Sequence, residues 1–176
     1  MRDDRAGGAF GGLDPLRALL AIEEIRQLRS RYFEVLDARD WPGYAALFTE
    51  AAVLDFREEI QHQLRDPAAR AALPEGAFVF TGGQAAADTF AGHLAGCVTV
   101  HHGHDHQVTL TGADTATGVC AMWDCLDYGH ELFQGYGHYR ERYRRVDGRW
   151  LIEHLRLTRS RTVWQPVEHR WRQTAQ

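Results

Sequence analysis

Ten histidines occur in this 176-residue chain, four of them between positions 101 and 106. The run is Val100-His101-His102-Gly103-His104-Asp105-His106. Imidazole titrates near neutral pH, so one inward histidine could serve as a general acid or base. Strand alternation would put His101, Gly103 and Asp105 on one face and His102, His104 and His106 on the other. The second set also admits a metal-binding reading, with neighbouring histidines roughly 7 Å apart. Two of them could share an ion, whereas three would be strained. Several of the four could equally line a solvated or interfacial face.

A tyrosine and an acid stand out on the segment from Asp14 to Asp40. With Tyr32 at the origin of a helical wheel, Ile25, Leu28, Val35 and Leu36 fall within about 60° of it, and Ile22 and Phe33 within about 100°. Glu23, Gln27, Ser30, Arg31 and Glu34 cover the far side. Tyr32 thus lies mid-stripe, with a buried ring and a hydroxyl that needs a partner. Asp37 falls at the edge of the stripe near the helix C-terminus, where the macrodipole favours a cation. A core tyrosine bonded to a carbonyl and a solvated helix-end acid are the plain alternatives.

Two charges interrupt apolar strand faces. Asp124 shares parity with Cys120, Met122 and Leu126, and Arg159 with Leu155 and Leu157. Each is costly to bury alone, so the two could pair, or Arg159 could take an anionic group of a ligand. By contrast, Arg140-Glu141-Arg142 and Arg144-Arg145 read as a solvated outer face.

Composition bounds the rest. Hydrophobic residues make up 44% and charged ones 25%, which is globular composition. No run of 18 apolar residues offers a membrane helix. The net charge of −4 disfavours nucleic acid as a partner. Three cysteines without a CxxC argue against a disulfide scaffold and fit a reducing cytoplasm.

The elements that must position these residues follow from periodicity. Residues 1–13 read as a flexible Gly-rich leader, residues 14–163 as one domain, and residues 164–176 as a polar tail. Asp14 caps a long helix with Pro15 in its first turn. A short helix spans 41–48, a strand 52–56, and a third helix 84–94. Residues 57–80 form a long polar stretch with a helical turn around 65–73, of the length often found in lids. Residues 97–111, 115–128, 131–146 and 149–163 read as four long strands, the last two joined at Asp147-Gly148. Helices followed by a meander predict an α+β fold, a curved mixed or antiparallel sheet packed on three N-terminal helices as a cone around a pocket.

In this order the chain resembles the SnoaL-like branch of the nuclear transport factor 2-like superfamily. The resemblance is strongest to bile-acid 7α-dehydratase and more distant to scytalone dehydratase. It covers about residues 16–160 and rests on Tyr32-Phe33 with Asp37, His101-His102-Gly103-His104, Thr115-Ala116-Thr117-Gly118, Trp123-Asp124, and Asp147-Gly148-Arg149-Trp150 followed by Arg159. It implies a catalytic set of Tyr32, Asp37, His101, Asp124 and Arg159, with the family's spacing from His101 to Asp124. It departs at Phe56, where the dehydratase has a second tyrosine, and in the longer segment 57–80.

The implied activity is that of a lyase (dehydratase) or isomerase acting on a hydrophobic polycyclic, steroid-like or polyketide-like carbonyl compound. His101 would move the proton, Asp37 would hold its ring, Tyr32 would stabilise a developing oxyanion, and Asp124 and Arg159 would orient the substrate. This chemistry needs no metal or organic cofactor. Phe33, Leu36, Phe56, Met122, Trp123, Leu126 and Leu157 are the expected apolar contacts, with His138 facing inward beside them. A non-catalytic ligand-binding protein and a metal protein built on His102, His104 and His106 are the alternatives. The sheet's other face, together with Trp164 and Trp171, points to a homo-oligomer, either a trimer or a dimer.

Overall fold

The computed structural model describes residues 10–167. Asp14 caps α1 (Pro15–Asp37), its carboxylate accepting from the backbone N–H groups of Leu16 and Arg17. The stripe predicted on the wheel is the buried one: Ile25, Tyr32, Val35 and Leu36 face the core. Asp40 caps α2 (Trp41–Ala45) through the N–H of Gly43 at 2.9 Å. Strand β1 (Phe48–Asp55) is longer than expected. The stretch after it is ordered, as helices α3 (Arg57–Gln63) and α4 (Pro67–Ala71) and strand β2 (Val79–Thr81). Asp66 and Pro67, a cap and first-turn pair, start α4 within the helical turn expected around 65–73.

Helix α5 (Gly83–His93) is followed by β3 (Val98–Leu110), β4 (Thr115–Asp127), β5 (Glu131–Val146) and β6 (Arg149–Pro166). Asp147 and Gly148 both adopt positive φ, as a two-residue hairpin requires. The sheet order is β2-β1-β6-β5-β4-β3. Among the described strands only β1 and β6 run parallel, because α5 and the meander lie between them in sequence. The α+β class and the curved sheet on N-terminal helices are as expected, but the sheet is not closed: among the described residues β2 and β3 are its edges. Irregularities at His104/Gln107, Tyr136/Gly137 and Arg142/Tyr143 interrupt the ladders.

The first of these irregularities corrects the assignment of the histidine faces. Asp105 takes φ 47°, which inserts a residue and reverses the alternation. His106 therefore turns inward, onto Tyr143, while His102 and His104 stay outside with their ring centroids 6.3 Å apart. The three residues of the metal reading do not share a face. Trp123 is also outside, its ring 5.3 Å from that of His102.

Parity on β5 supplies two more corrections. Phe133, Gly135, Gly137, Tyr139, Glu141 and Tyr143 are the buried residues. His138 faces outward with its register partners Ala121 and Thr158, so it does not contact the cavity. Glu141 is not solvated; it is 4% exposed. It pairs with Arg29 of α1, which is 2% exposed and lies over the rings of Tyr32 and Tyr139 at 4.2 and 4.3 Å. Tyr143 donates to Glu141 at 2.5 Å, leaving His106 Nε2 to donate to the tyrosine oxygen at 3.1 Å.

The two chain ends differ from expectation as well. Phe10 and Leu13 pack against the core. Strand β6 continues through residues 164–166, and the Trp164 ring stacks on Tyr128 and meets Phe133 at 5.0 Å rather than facing outward. Residues 1–9 of the leader, and Trp171, lie outside the described residues. Among the described residues no helix is long and apolar enough to cross a membrane.

His106 gives the fold a pH signature. Burial, and then the charges of Arg29 and Arg26, push its imidazole from near 6.5 down to about 4. Between those values the unfolded chain binds a proton that the folded chain refuses. Stability from this group is therefore full above the unfolded value, falls as pH drops, and reaches its lower plateau below about 4. His106→Gln should flatten the melting temperature measured across that window. An unchanged slope would assign the pH dependence to other groups.

Candidate active site

Helix α1 ends where β3 begins to pass beneath it, which brings Asp37 onto His101. The Asp37 Oδ1 to His101 Nδ1 distance is 2.6 Å. The His101 backbone N–H donates to Oδ2 at 2.9 Å, and the Thr99 hydroxyl donates to Oδ1 at 2.9 Å. Arg39 stands behind, donating to Thr99 and to the carbonyls of Leu36 and Cys97. It supplies the cation that the helix end lacks. Burial pushes the Asp37 carboxyl up, but the hydrogen bond and charge of His101 and the Thr99 hydroxyl outweigh it and hold the carboxyl below its usual range. A carboxylate only accepts, so Nδ1 carries the imidazole proton and Nε2 is left as the basic nitrogen.

Nε2 faces an apolar cavity. Leu36, Phe56, Phe90, Leu94, Leu126 and Leu157 form much of its wall. Tyr32 and Tyr139 close its inner end. Asp124 Oδ2 lies 4.0 Å from Nε2, too far for a hydrogen bond. Arg159 grips Asp124 with both terminal nitrogens, at 3.1 and 2.5 Å. Its Nη1 also reaches Met122 Sδ at 3.1 Å. The Arg159 Nε donates to Glu59 of α3. Although burial opposes its charge, these two carboxylates raise its affinity for the proton further. Gly135 makes room for this pair, because a Cβ there would strike Arg159 and Asp124.

Tyr32 is 1% exposed, with the Tyr44 hydroxyl 3.5 Å from its own. Burial pushes the phenol up, and the Arg29 guanidinium over its face works against that shift. It shares the cavity with His101 but makes no hydrogen bond to it.

A SnoaL-like domain model matches residues 17–156, spanning both the helix that carries Tyr32 and Asp37 and the strands that carry His101 and Asp124. The chain belongs to the SnoaL-like family. Solved structures of similar fold include a putative scytalone dehydratase from Novosphingobium aromaticivorans. It is 21% identical over 85% of this chain and 91% of that one, with a TM-score of 0.69. A type 2 hexachlorocyclohexane dehydrochlorinase, LinA, is 19% identical over 89% and 95%, with a TM-score of 0.68. Rv3472, a function-unknown protein from Mycobacterium tuberculosis, is 25% identical over 86% and 79%, with a TM-score of 0.66.

On this SnoaL-like frame, Tyr32, His101, Asp124 and Arg159 line one cavity with Leu36, Phe56, Leu126 and Leu157, and Asp37 backs His101. Met122 is buried behind Arg159. Phe33 lies elsewhere, in a groove between α1 and the β3 bulge with Gly103 and His104. Sequence reasoning missed Glu59, Ile60 and Gln63, because a stretch taken for a loop carries no facing pattern. It also missed Tyr139 and Arg29, for which a signal existed. Tyr139 shares parity with Tyr143, and Arg29 sits three residues before Tyr32 on the same helical stripe.

Proposed function

We propose that this SnoaL-like protein is a cofactor-independent lyase or isomerase that removes a proton beside the carbonyl of a hydrophobic, polycyclic or polyketide-like substrate. The observation that carries this reading is the Asp37–His101 pair, whose free Nε2 opens into an apolar cavity. Substrate carbon would meet Nε2, and the electrons released would flow to the carbonyl oxygen. Tyr32, 1% exposed, would donate to that oxyanion from an enclosed position, where such a hydrogen bond is most effective. Asp124 would steady the imidazolium formed, and Arg159 would hold Asp124 in place. When a hydroxyl stands β to the carbonyl, collapse of the enolate expels it and leaves an enone. When the substrate instead carries a β,γ double bond, the proton is returned to the γ-carbon of the dienolate, which completes an isomerisation to the conjugated enone.

The resemblance to the bile-acid and scytalone dehydratases supports this reading. So do neighbours named for dehydration and dehydrochlorination, both of which are eliminations. Phe56, buried and lining the cavity, offers the substrate no hydrogen bond where a tyrosine would. A β-hydroxytetralone is a suitable probe, since its dehydration yields a fluorescent naphthol. The protein should accelerate naphthol formation, with a pH–rate profile that turns on an imidazole. Tight binding of the ketone with no acceleration would instead mean a non-catalytic ligand carrier.

A further inference from the structure

Glu59 is the one carboxyl in the cavity that the mechanism above leaves without a task. It lines the same space as His101 and Asp124, from the opposite element, α3. Its side chain is 14% exposed. Oε2 accepts from Arg159 Nε, and Oε1 lies 2.6 Å from the Gln63 side-chain amide.

The charges around it do not balance if every acid is ionised. Among the described residues Arg159 of β6 is the single cation bridged to Glu59, and Asp124 of β4 already holds two of its nitrogens. Asp37 is committed to His101. Two carboxylates on one buried guanidinium leave an excess negative charge, which one proton removes. Asp124, bound through both oxygens, keeps its charge, so Glu59 is the seat for that proton. A turned Gln63 amide would accept it as readily as the amide now donates. Burial is the main influence on this carboxyl and raises it, Asp124 adds to the rise, and Arg159 only partly offsets them.

An elimination of water needs two proton transfers, one from carbon and one to the departing oxygen. We propose that Glu59 is a second catalytic residue, the acid that protonates the leaving hydroxyl while His101 serves as the base at carbon. This assignment rests on the elimination reading above. The C–H electron pair becomes the enolate, and the proton goes to His101 Nε2. As the enolate collapses to the enone, the C–O bond breaks toward oxygen. That oxygen takes the Glu59 proton and leaves as water. The imidazolium then returns its proton to the Glu59 carboxylate through solvent, and no other reactant is consumed.

Two measurements test the proposal. Infrared spectroscopy of the protein carrying isotope-labelled glutamate, with no substrate present, should show a protonated carboxyl at neutral pH that is lost in Glu59→Gln. Absence of that band in the wild type overturns the assignment while leaving the role of His101 intact. The second compares β-hydroxytetralone with β-chlorotetralone, since chloride leaves without a proton. Glu59→Gln should slow hydroxide loss by about 10²-fold or more, yet change chloride loss by less than about threefold. Equal losses on both probes, or no loss on either, would overturn it. His101→Ala, which should impair both probes, separates failure of this assignment from failure of the elimination reading.

Discussion

Replacing His101 by alanine should lower turnover of a β-hydroxy ketone by about 10²–10⁴-fold, the range for loss of a positioned general base. Asp37 offers no substitute, because it does not line the cavity and its two oxygens stay held by the Thr99 hydroxyl and the backbone N–H of residue 101. Asp37→Asn should act through the ring. An amide can donate to Nδ1 and so stabilise the tautomer whose proton sits on Nε2, where a base needs a lone pair. Ketone affinity should change little in either variant, since the apolar wall is untouched. Steady-state kinetics on purified variants distinguish the outcomes. A His101→Ala protein with wild-type kcat would remove the histidine from the chemistry.

Breaking the Arg29–Glu141 pair should have the largest effect on stability. Both side chains are almost wholly enclosed, at 2% and 0% exposure. Arg29→Met leaves the Glu141 charge without its counter-ion and costs about 3–5 kcal/mol, a large part of a typical domain's stability. Adding Glu141→Leu to that variant should recover much of the loss, because the pair's removal leaves no orphan charge. Denaturant titration of both single variants and the double variant measures this coupling. Additive losses would mean that the two side chains stabilise the fold independently. Arg29 also lies over Tyr32, so the single variant should weaken catalysis in whatever protein remains folded.

Local periodicity made much of this architecture legible. The long helix, its Asp14 cap and the four long strands are set by side-chain alternation and turn chemistry that operate over a few residues. Asp124 and Arg159 stood out because a charge on an apolar face needs a partner, and the sheet register delivers one to the other. The His102, His104 and His106 grouping failed for the opposite reason. A single positive φ at Asp105 reverses the alternation, and an aspartate does not announce that conformation. His138 followed the same pattern of error, since the strand's phase was misplaced by one residue and inside became outside. Glu59 was hidden because α3 buries no residue of its own. Its contact with Arg159 spans a hundred positions in sequence, and only tertiary packing creates it.

The most direct test of the proton chemistry needs no leaving group. Tetralone in deuterated buffer should exchange its α-hydrogens faster in the presence of the protein, as followed by proton NMR. That acceleration should vanish in His101→Ala. Exchange at the buffer rate with bound tetralone, or acceleration that survives loss of the imidazole, would contradict the account.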